Sequence, residues 1–123
     1  MIKRILVVDD NDDIRENTAE LLGLEGFQVT MAESGELAIE HLKAHVPDLV
    51  ICDIVMSGMD GYEVFSALKN NHQTTKIPFV FSTAKAEKSD RQKAEDMGAN
   101  GYLVKPFDHH ELLNCIKNCC QPA

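Results

Sequence analysis

Four sites suited to cation and phosphoryl chemistry stand at the ends of short apolar runs. Asp9-Asp10 follows Val7-Val8, Asp53 follows Ile51-Cys52, Ser82-Thr83 follows Val80-Phe81, and Lys105 follows Leu103-Val104. If these runs are neighbouring parallel strands, all four endings lie along one sheet edge, where open α/β folds bind ligands. Adjacent strands are ~4.8 Å apart, so acids ending the first and third strands would crowd and repel one another. Repulsion raises the proton affinity of such a site and a small hard cation relieves it; oxygen-only donors with room for waters suit Mg²⁺ or Mn²⁺. Beside such an ion a carboxylate can accept a phosphoryl group as an acyl phosphate. Asp53 is the candidate acceptor, with the Lys105 ammonium and the Thr83 hydroxyl available to neutralise and hydrogen-bond the phosphoryl oxygens. Each of these residues alone has an ordinary explanation. Acids favour helix N-termini, which suffices for Asp12 and Asp13; a lysine before proline is usually solvated, and a threonine at a strand end usually bonds local backbone. The weight lies in their coincidence.

The elements that must position these groups are legible as alternating periodicities. Ile5 to Val8, Phe27 to Met31, Leu49 to Cys52, Phe79 to Phe81 and Tyr102 to Val104 are short runs rich in β-branched and aromatic residues, hence five candidate strands. Between them lie helical stripes: Ile14, Thr18, Leu21 and Leu22; Ala38, Ile39 and Leu42; Val64, Phe65 and Leu68; Leu112, Leu113 and Ile116. Gly23 and Gly26 punctuate the first helix's exit, Pro47-Asp48 and Ile77-Pro78 open the third and fourth strands, and Asp108 can cap the last helix. Right-handed crossovers then give an α/β doubly wound sandwich of five βα units around a parallel sheet. The stretch from Lys85 to Met97 has almost no apolar stripe, so its helix is expected to be the least anchored.

Bulk properties agree with one domain over residues 1–123. Hydrophobic residues make up 44% and charged residues 26%, which is globular rather than disordered, and no apolar run is long enough to span a bilayer. Met1-Ile2-Lys3-Arg4 leads into a strand without a signal-peptide pattern, so the cytoplasm is the expected location. A net charge of −8 argues against direct nucleic acid or anionic membrane binding and favours a protein partner or a cation. The cysteines, Cys52, Cys115, Cys119 and Cys120, lack Cys-x-x-Cys spacing and are expected to be free thiols. Cys115 and Cys119 could share a soft metal with His109 or His110, but no second ligand pair is fixed. Asp9, Asn11, Asp13 and Glu20 fall at EF-hand positions; Ile14 replaces the required glycine, which rejects a calcium loop.

The joint pattern Asp9-Asp10, Asp53, Thr83-Ala84 and Lys105-Pro106 resembles the receiver domain of two-component response regulators, in particular the single-domain chemotaxis type, over Lys3 to about Cys119. The resemblance implies a flavodoxin-like (βα)5 fold with strand order 2-1-3-4-5. It makes Asp53 the phosphoacceptor, with Asp10, Asp53 and the Val55 carbonyl on Mg²⁺, Asp9 acting through water, Lys105 on the phosphoryl group and Thr83 moving to hydrogen-bond it. Tyr102 is implied as the aromatic that turns inward when Thr83 moves, and the Lys85 to Met97 stretch beside them as the output face. The family's Lys-Pro peptide is often cis. Met59-Asp60-Gly61 matches the turn after the acceptor, whereas Met56-Ser57 stands where the family usually has Met-Pro, which leaves that loop freer. Val55 and Lys85 occupy the positions that line the path of the hydrolytic water.

The implied function is a signalling switch rather than an enzyme: phosphorylated by a histidine kinase or phosphotransfer protein, it acts on a downstream protein target. A phosphorylation-dependent dimer is compatible with this. No helix-turn-helix or catalytic extension is visible, so output passes through a partner or the chain is a receiver from a longer protein. Two other classes fit less well. A haloacid-dehalogenase-like phosphatase requires Asp-x-Asp where this chain has Asp53-Ile54-Val55, and a flavodoxin-like electron carrier requires a hydroxyl-rich loop where Asp9-Asp10-Asn11 would repel the FMN phosphate.

Overall fold

The computed structural model describes residues 2–119. Strand and helix alternate as β1 (Arg4–Val8), α1 (Asp12–Leu24), β2 (Gln28–Ala32), α2 (Gly35–Ala44), β3 (Leu49–Asp53), α3 (Gly61–Lys69), β4 (Phe79–Thr83), α4 (Lys88–Met97), β5 (Gly101–Val104) and α5 (His109–Cys119). The strands form one parallel sheet in the order β2-β1-β3-β4-β5. This is the expected doubly wound, flavodoxin-like architecture. Cys120, the fourth cysteine of the sequence, lies outside the described residues.

The period-2 alternation of the strands divides the core into two layers. Ile5, Val7, Leu49, Ile51, Val80 and Leu103 pack with Leu22 of α1 and with Leu112 and Ile116 of α5. On the opposite face Leu6, Val8, Val50, Cys52, Phe79 and Phe81 pack under α2 and α3, where Phe65 meets Phe79 edge-on at 5.1 Å. Both faces being covered, β3 and β4 are buried along their whole length, as parallel strands between two helical layers must be. The rim opposite the acidic cluster is pinned by Asp48, whose carboxylate accepts the Lys3 and Arg4 amides at 2.9 Å each. These bonds hold its pKa below the usual carboxylate value.

Helix starts follow the capping rules. Asn11, Ser34 and Asp60 accept the amides of Ile14, Leu37 and Glu63, and Asp108 accepts the Glu111 amide at 2.7 Å while Glu111 reaches back to the Asp108 amide. α4 is the exception. Its cap, Glu87, makes no side-chain bond, Ala94 is its single buried residue, and cations hold it by aromatic faces, with Lys93 Nζ 4.0 Å from the Tyr62 centroid and the Arg91 guanidinium 5.1 Å from that of Tyr102.

Three local expectations need correction. The second strand is shifted by one residue, because Phe27 donates its amide to the Leu22 carbonyl in the turn and packs into the core from there. Gly23 lies within α1 rather than after it; the turn is made by Gly26, whose φ of +93° favours glycine. The inward face of α1 is Arg15, Thr18 and Leu22, whereas Ile14 is only half-buried. A buried arginine in an apolar stripe is invisible to hydrophobic periodicity.

α3 starts directly against the end of β3. The Gly61 amide donates to the Ile54 carbonyl at 2.8 Å, and a Cβ at Gly61 would overlap the Asp53 carbonyl oxygen and the Ile54 Cα. Gly61→Ala should therefore cost at least about 2 kcal/mol, whereas Gly23→Ala, with open space around it in the last turn of α1, should stabilise by ~0.4–1 kcal/mol. Urea unfolding of the two variants beside the parent chain measures both.

Candidate functional site

Sheet register brings the chemistry together. Val8 pairs with Cys52 and Asp53 with Ser82 across the central strands, so Asp9 follows β1 level with Asp53, and Thr83 ends the next strand. The Lys105 amide donates to the Thr83 carbonyl at 2.8 Å, continuing the ladder past Val104. One oxygen from each of Asp9, Asp10 and Asp53 lies within 4.8 Å of the others, the single such grouping of His, Cys, Asp or Glu among the described residues. Asp9 is 3% exposed and Asp53 8%, while Asp10 is open to solvent.

Lys105 closes the group. Its Nζ stands 2.6 Å from Asp9 Oδ2 and 3.4 Å from Asp53 Oδ2, after a cis Lys105–Pro106 peptide. Asp9 has both oxygens engaged, because Oδ1 accepts the Asn11 amide at 2.9 Å. Asp10 Oδ2 accepts the Ser57 amide at 3.2 Å. Beneath the cluster the buried Arg15 donates to the Asp9 main-chain carbonyl at 2.8 Å and to Asp12 at 2.7 Å. Burial pushes the Asp53 carboxyl above its ordinary pKa; Lys105 opposes the shift and Asp9 adds to it. An all-oxygen donor set with net negative charge and a solvent-open side fits a hard divalent cation.

The remaining predicted residues flank this centre. Thr83 is buried at the end of β4, and its hydroxyl oxygen accepts the Lys85 amide at 3.2 Å, which leaves the hydroxyl hydrogen free to donate. Tyr102, half-buried on β5, donates its hydroxyl to the Lys85 carbonyl at 2.9 Å, so both residues of the expected switch touch the same loop residue. Val55 is 59% exposed on the loop after β3. That loop is tethered at Met59, whose amide donates to Glu36 Oε2 at 3.2 Å, and it turns at Gly58 with φ +77°. Sequence reasoning missed three of these contacts: Arg15 under Asp9, the Ser57 amide on Asp10 and Glu36 on the loop. Only Arg15 left a signal, a cation in register with Thr18 and Leu22. Among the described residues no soft-metal group forms from His109 or His110 with Cys115 and Cys119; His109 instead meets Glu25 at 2.7 Å, and the three described cysteines are free.

Comparison with known proteins follows the same outline. The family model described as the response regulator receiver domain matches residues 5–117. The phosphate regulon transcriptional regulatory protein PhoB of Escherichia coli (strain K12) is 38% identical over 117 residues, covering 95% of this chain and 51% of its own. A 14.6 kDa protein of Leptolyngbya boryana is 36% identical over 94% of this chain and 88% of its own. Chemotaxis protein CheY4 of Vibrio cholerae superposes with a TM-score of 0.90 at 28% identity, over 97% of this chain and 99% of that one. The chain spans about half the length of the first curated relatives it matches.

The raised pKa of Asp53 has a definite sign. Folding disfavours its ionised form, so its contribution to stability is favourable below the unfolded value of ~3.9 and is lost as pH rises through the higher folded value. In metal-free buffer at pH 7, Asp53→Asn should therefore raise the thermal midpoint, and the gain should vanish below about pH 4. Calorimetry of both proteins across that range checks the sign. Adding Mg²⁺ should raise the midpoint of the parent more than that of the variant.

Proposed function

Since the chain belongs to the response regulator receiver domain family of two-component signalling, we propose that it accepts a phosphoryl group on Asp53 and converts it into a conformational signal for a protein partner. The observation that carries this is the convergence of Asp9, Asp10, Asp53 and Lys105, drawn from three strand ends, around one solvent-open point.

Receiver domains are phosphorylated by histidine kinases, and a phosphohistidine of such a kinase or of a phosphotransfer protein is the donor this site suits. Asp10, Asp53 and the Val55 carbonyl would hold Mg²⁺, with Mn²⁺ as an equivalent, and Asp9 would act through water because its own oxygens are already bound. When bound, the ion neutralises charge on the transferring phosphoryl oxygens and lets two anions approach. An Asp53 oxygen attacks phosphorus, the bond from phosphorus to the donor imidazole breaks, and the imidazole leaves. Lys105, now held between Asp9 and Asp53, pairs with a phosphoryl oxygen. Thr83 turns its free hydroxyl hydrogen toward another. Such a reaction needs positioning and charge neutralisation more than covalent assistance.

The product replaces the single charge of Asp53 by a phosphoryl group of about two negative charges with three strong acceptor oxygens. Movement of Thr83 toward it disturbs the Lys85 amide contact, and Tyr102 is bonded to the carbonyl of that same residue. The signal then passes to α4, which is held by little apolar burial and so shifts at low cost. We therefore assign Thr83 and Tyr102 as the switch pair. The domain spans residues 1–123 in this reading and works in the cytoplasm without binding nucleic acid itself. No helix of the described residues is long and apolar enough to cross a membrane. The transcriptional role in PhoB's name belongs to a chain about twice as long as this one.

Acetyl phosphate and Mg²⁺ should add the mass of one phosphoryl group to the parent chain and none to Asp53→Asn; an adduct of equal yield on both would move the acceptor elsewhere. Val55 and Lys85 flank the approach of water to the acyl phosphate, and an exposed valine cannot orient it. Val55→Asn should therefore lose its phosphate faster, about tenfold for ~1.4 kcal/mol of barrier, as timed by loss of radiolabel. Equal lifetimes would remove Val55 from this role.

A further inference from the structure

Away from the acidic edge, two thiols meet against β5. Cys115 and Cys119 are one turn apart on α5, and both sulfurs reach the space left by the missing side chain of Gly101. A Cβ there would stand 2.9 Å from Cys115 Sγ and 3.4 Å from Cys119 Sγ. Cys119 Sγ also lies 3.7 Å from the Asn100 carbonyl, to which it donates. Cys115 lines an open groove of about 440 Å³ shared with Arg91, Tyr102 and Glu111, so small solutes reach it. Cys52, by contrast, is sealed in the sheet, and burial pushes its thiol well up.

The surroundings split the roles of the pair. The neighbouring Cys119 side chain lowers the Cys115 thiol against the effect of burial, with help from the Arg91 charge and the Tyr102 main chain, and the same proximity raises Cys119. A reachable thiol favoured as thiolate beside a second cysteine is the arrangement that reacts with peroxides and then resolves to a disulfide. Helical Cα atoms four residues apart are separated by ~6 Å, inside the ~4.4–6.8 Å range that a disulfide spans, but their Cβ atoms, ~5–6 Å apart in a helix, must close to ~3.5–4.5 Å, so the bond forms with a local rearrangement of that turn of α5.

The geometry points to Cys115 and Cys119 as a peroxide-responsive dithiol, Cys115 the attacking and Cys119 the resolving residue. The Cys115 thiolate attacks one oxygen of hydrogen peroxide, the O–O bond breaks, and a sulfenic acid and hydroxide form. The Cys119 sulfur attacks that sulfenic sulfur, the S–S bond forms, and the S–O bond breaks with loss of a second hydroxide. The two thiol protons convert both hydroxides to water, so two sulfurs are oxidised and one peroxide is reduced. The site is independent of the phosphoryl reading, although it adjoins Tyr102 and Arg91 on the face that holds α4.

The test uses the full chain carrying Cys120→Ser, so that a disulfide can be assigned to one pair. After brief treatment with hydrogen peroxide and alkylation of remaining thiols, intact and peptide mass should show a Cys115–Cys119 disulfide, with Cys52 still alkylated only on unfolding. Oxidation should be at least about tenfold faster than in the same chain unfolded in urea, as expected of a thiol activated by its folded surroundings. Adding Cys119→Ser should leave a Cys115 sulfenic acid that dimedone traps. Full alkylation of both thiols after peroxide, equal rates folded and unfolded, or unchanged oxidation of Cys119 in the Cys115→Ser variant would each overturn the assignment.

Discussion

Negative charge crowded at the carboxyl edge of the sheet is the constraint on which the rest of this molecule depends. Three carboxylates converge within 4.8 Å, two of them buried, and they are tolerable together because Lys105 reaches in from the far end of the chain. The fold exists to enforce that proximity. Parallel pairing of β1, β3, β4 and β5 aligns the strand ends, both faces are sealed by helices, and α3 is pressed against the Asp53 backbone through Gly61. A group that reduces the net negative charge, such as a divalent ion, or one that draws Lys105 away, such as a phosphoryl group, therefore acts on a balance already under strain from like-charge repulsion.

Coupling outward from this edge runs through short polar contacts. Thr83 and Tyr102 are on different strands, yet both bond the backbone of Lys85, one at its amide and the other at its carbonyl. A single loop residue thus connects the acidic rim to the aromatic that borders α4. The helix it leads into has one buried side chain and an unsupported start, whereas α3 has four buried residues and a complete capping box. Stability is unevenly distributed, and the weakly held element is the one adjoining Thr83 and Tyr102.

Much of this could be read from the sequence. Alternating runs and stripes located nine of the ten elements, since apolar periodicity is what burial on a two-faced parallel sheet demands, while α4, with almost no stripe, was expected from its place in the alternation. The acids, Thr83 and Lys105 were legible because each ends a strand, and strand ends share an edge. What escaped was of two kinds. Boundaries moved by a residue where turn hydrogen bonds decided them, as at Phe27 and Gly23. Side chains that act through single polar contacts, such as Arg15 beneath Asp9 or Glu36 on the Met59 amide, leave no periodic trace because they depend on tertiary placement. The proximity of Cys115, Cys119 and Gly101 is of the same kind, one turn of α5 meeting a strand fourteen or more residues earlier.

The two rims of the sheet answer acid in opposite ways. Asp48 at the amino edge is held ionised by the Lys3 and Arg4 amides, so its contribution is present above the unfolded carboxylate pKa and lost as pH falls through its depressed folded value. Asp53 at the carboxyl edge behaves in reverse, relieved of an unfavourable charge as pH falls through its raised value. On acidification from neutrality the carboxyl rim relaxes first, and the amino rim, whose Asp48 stays ionised to lower pH, loosens afterwards.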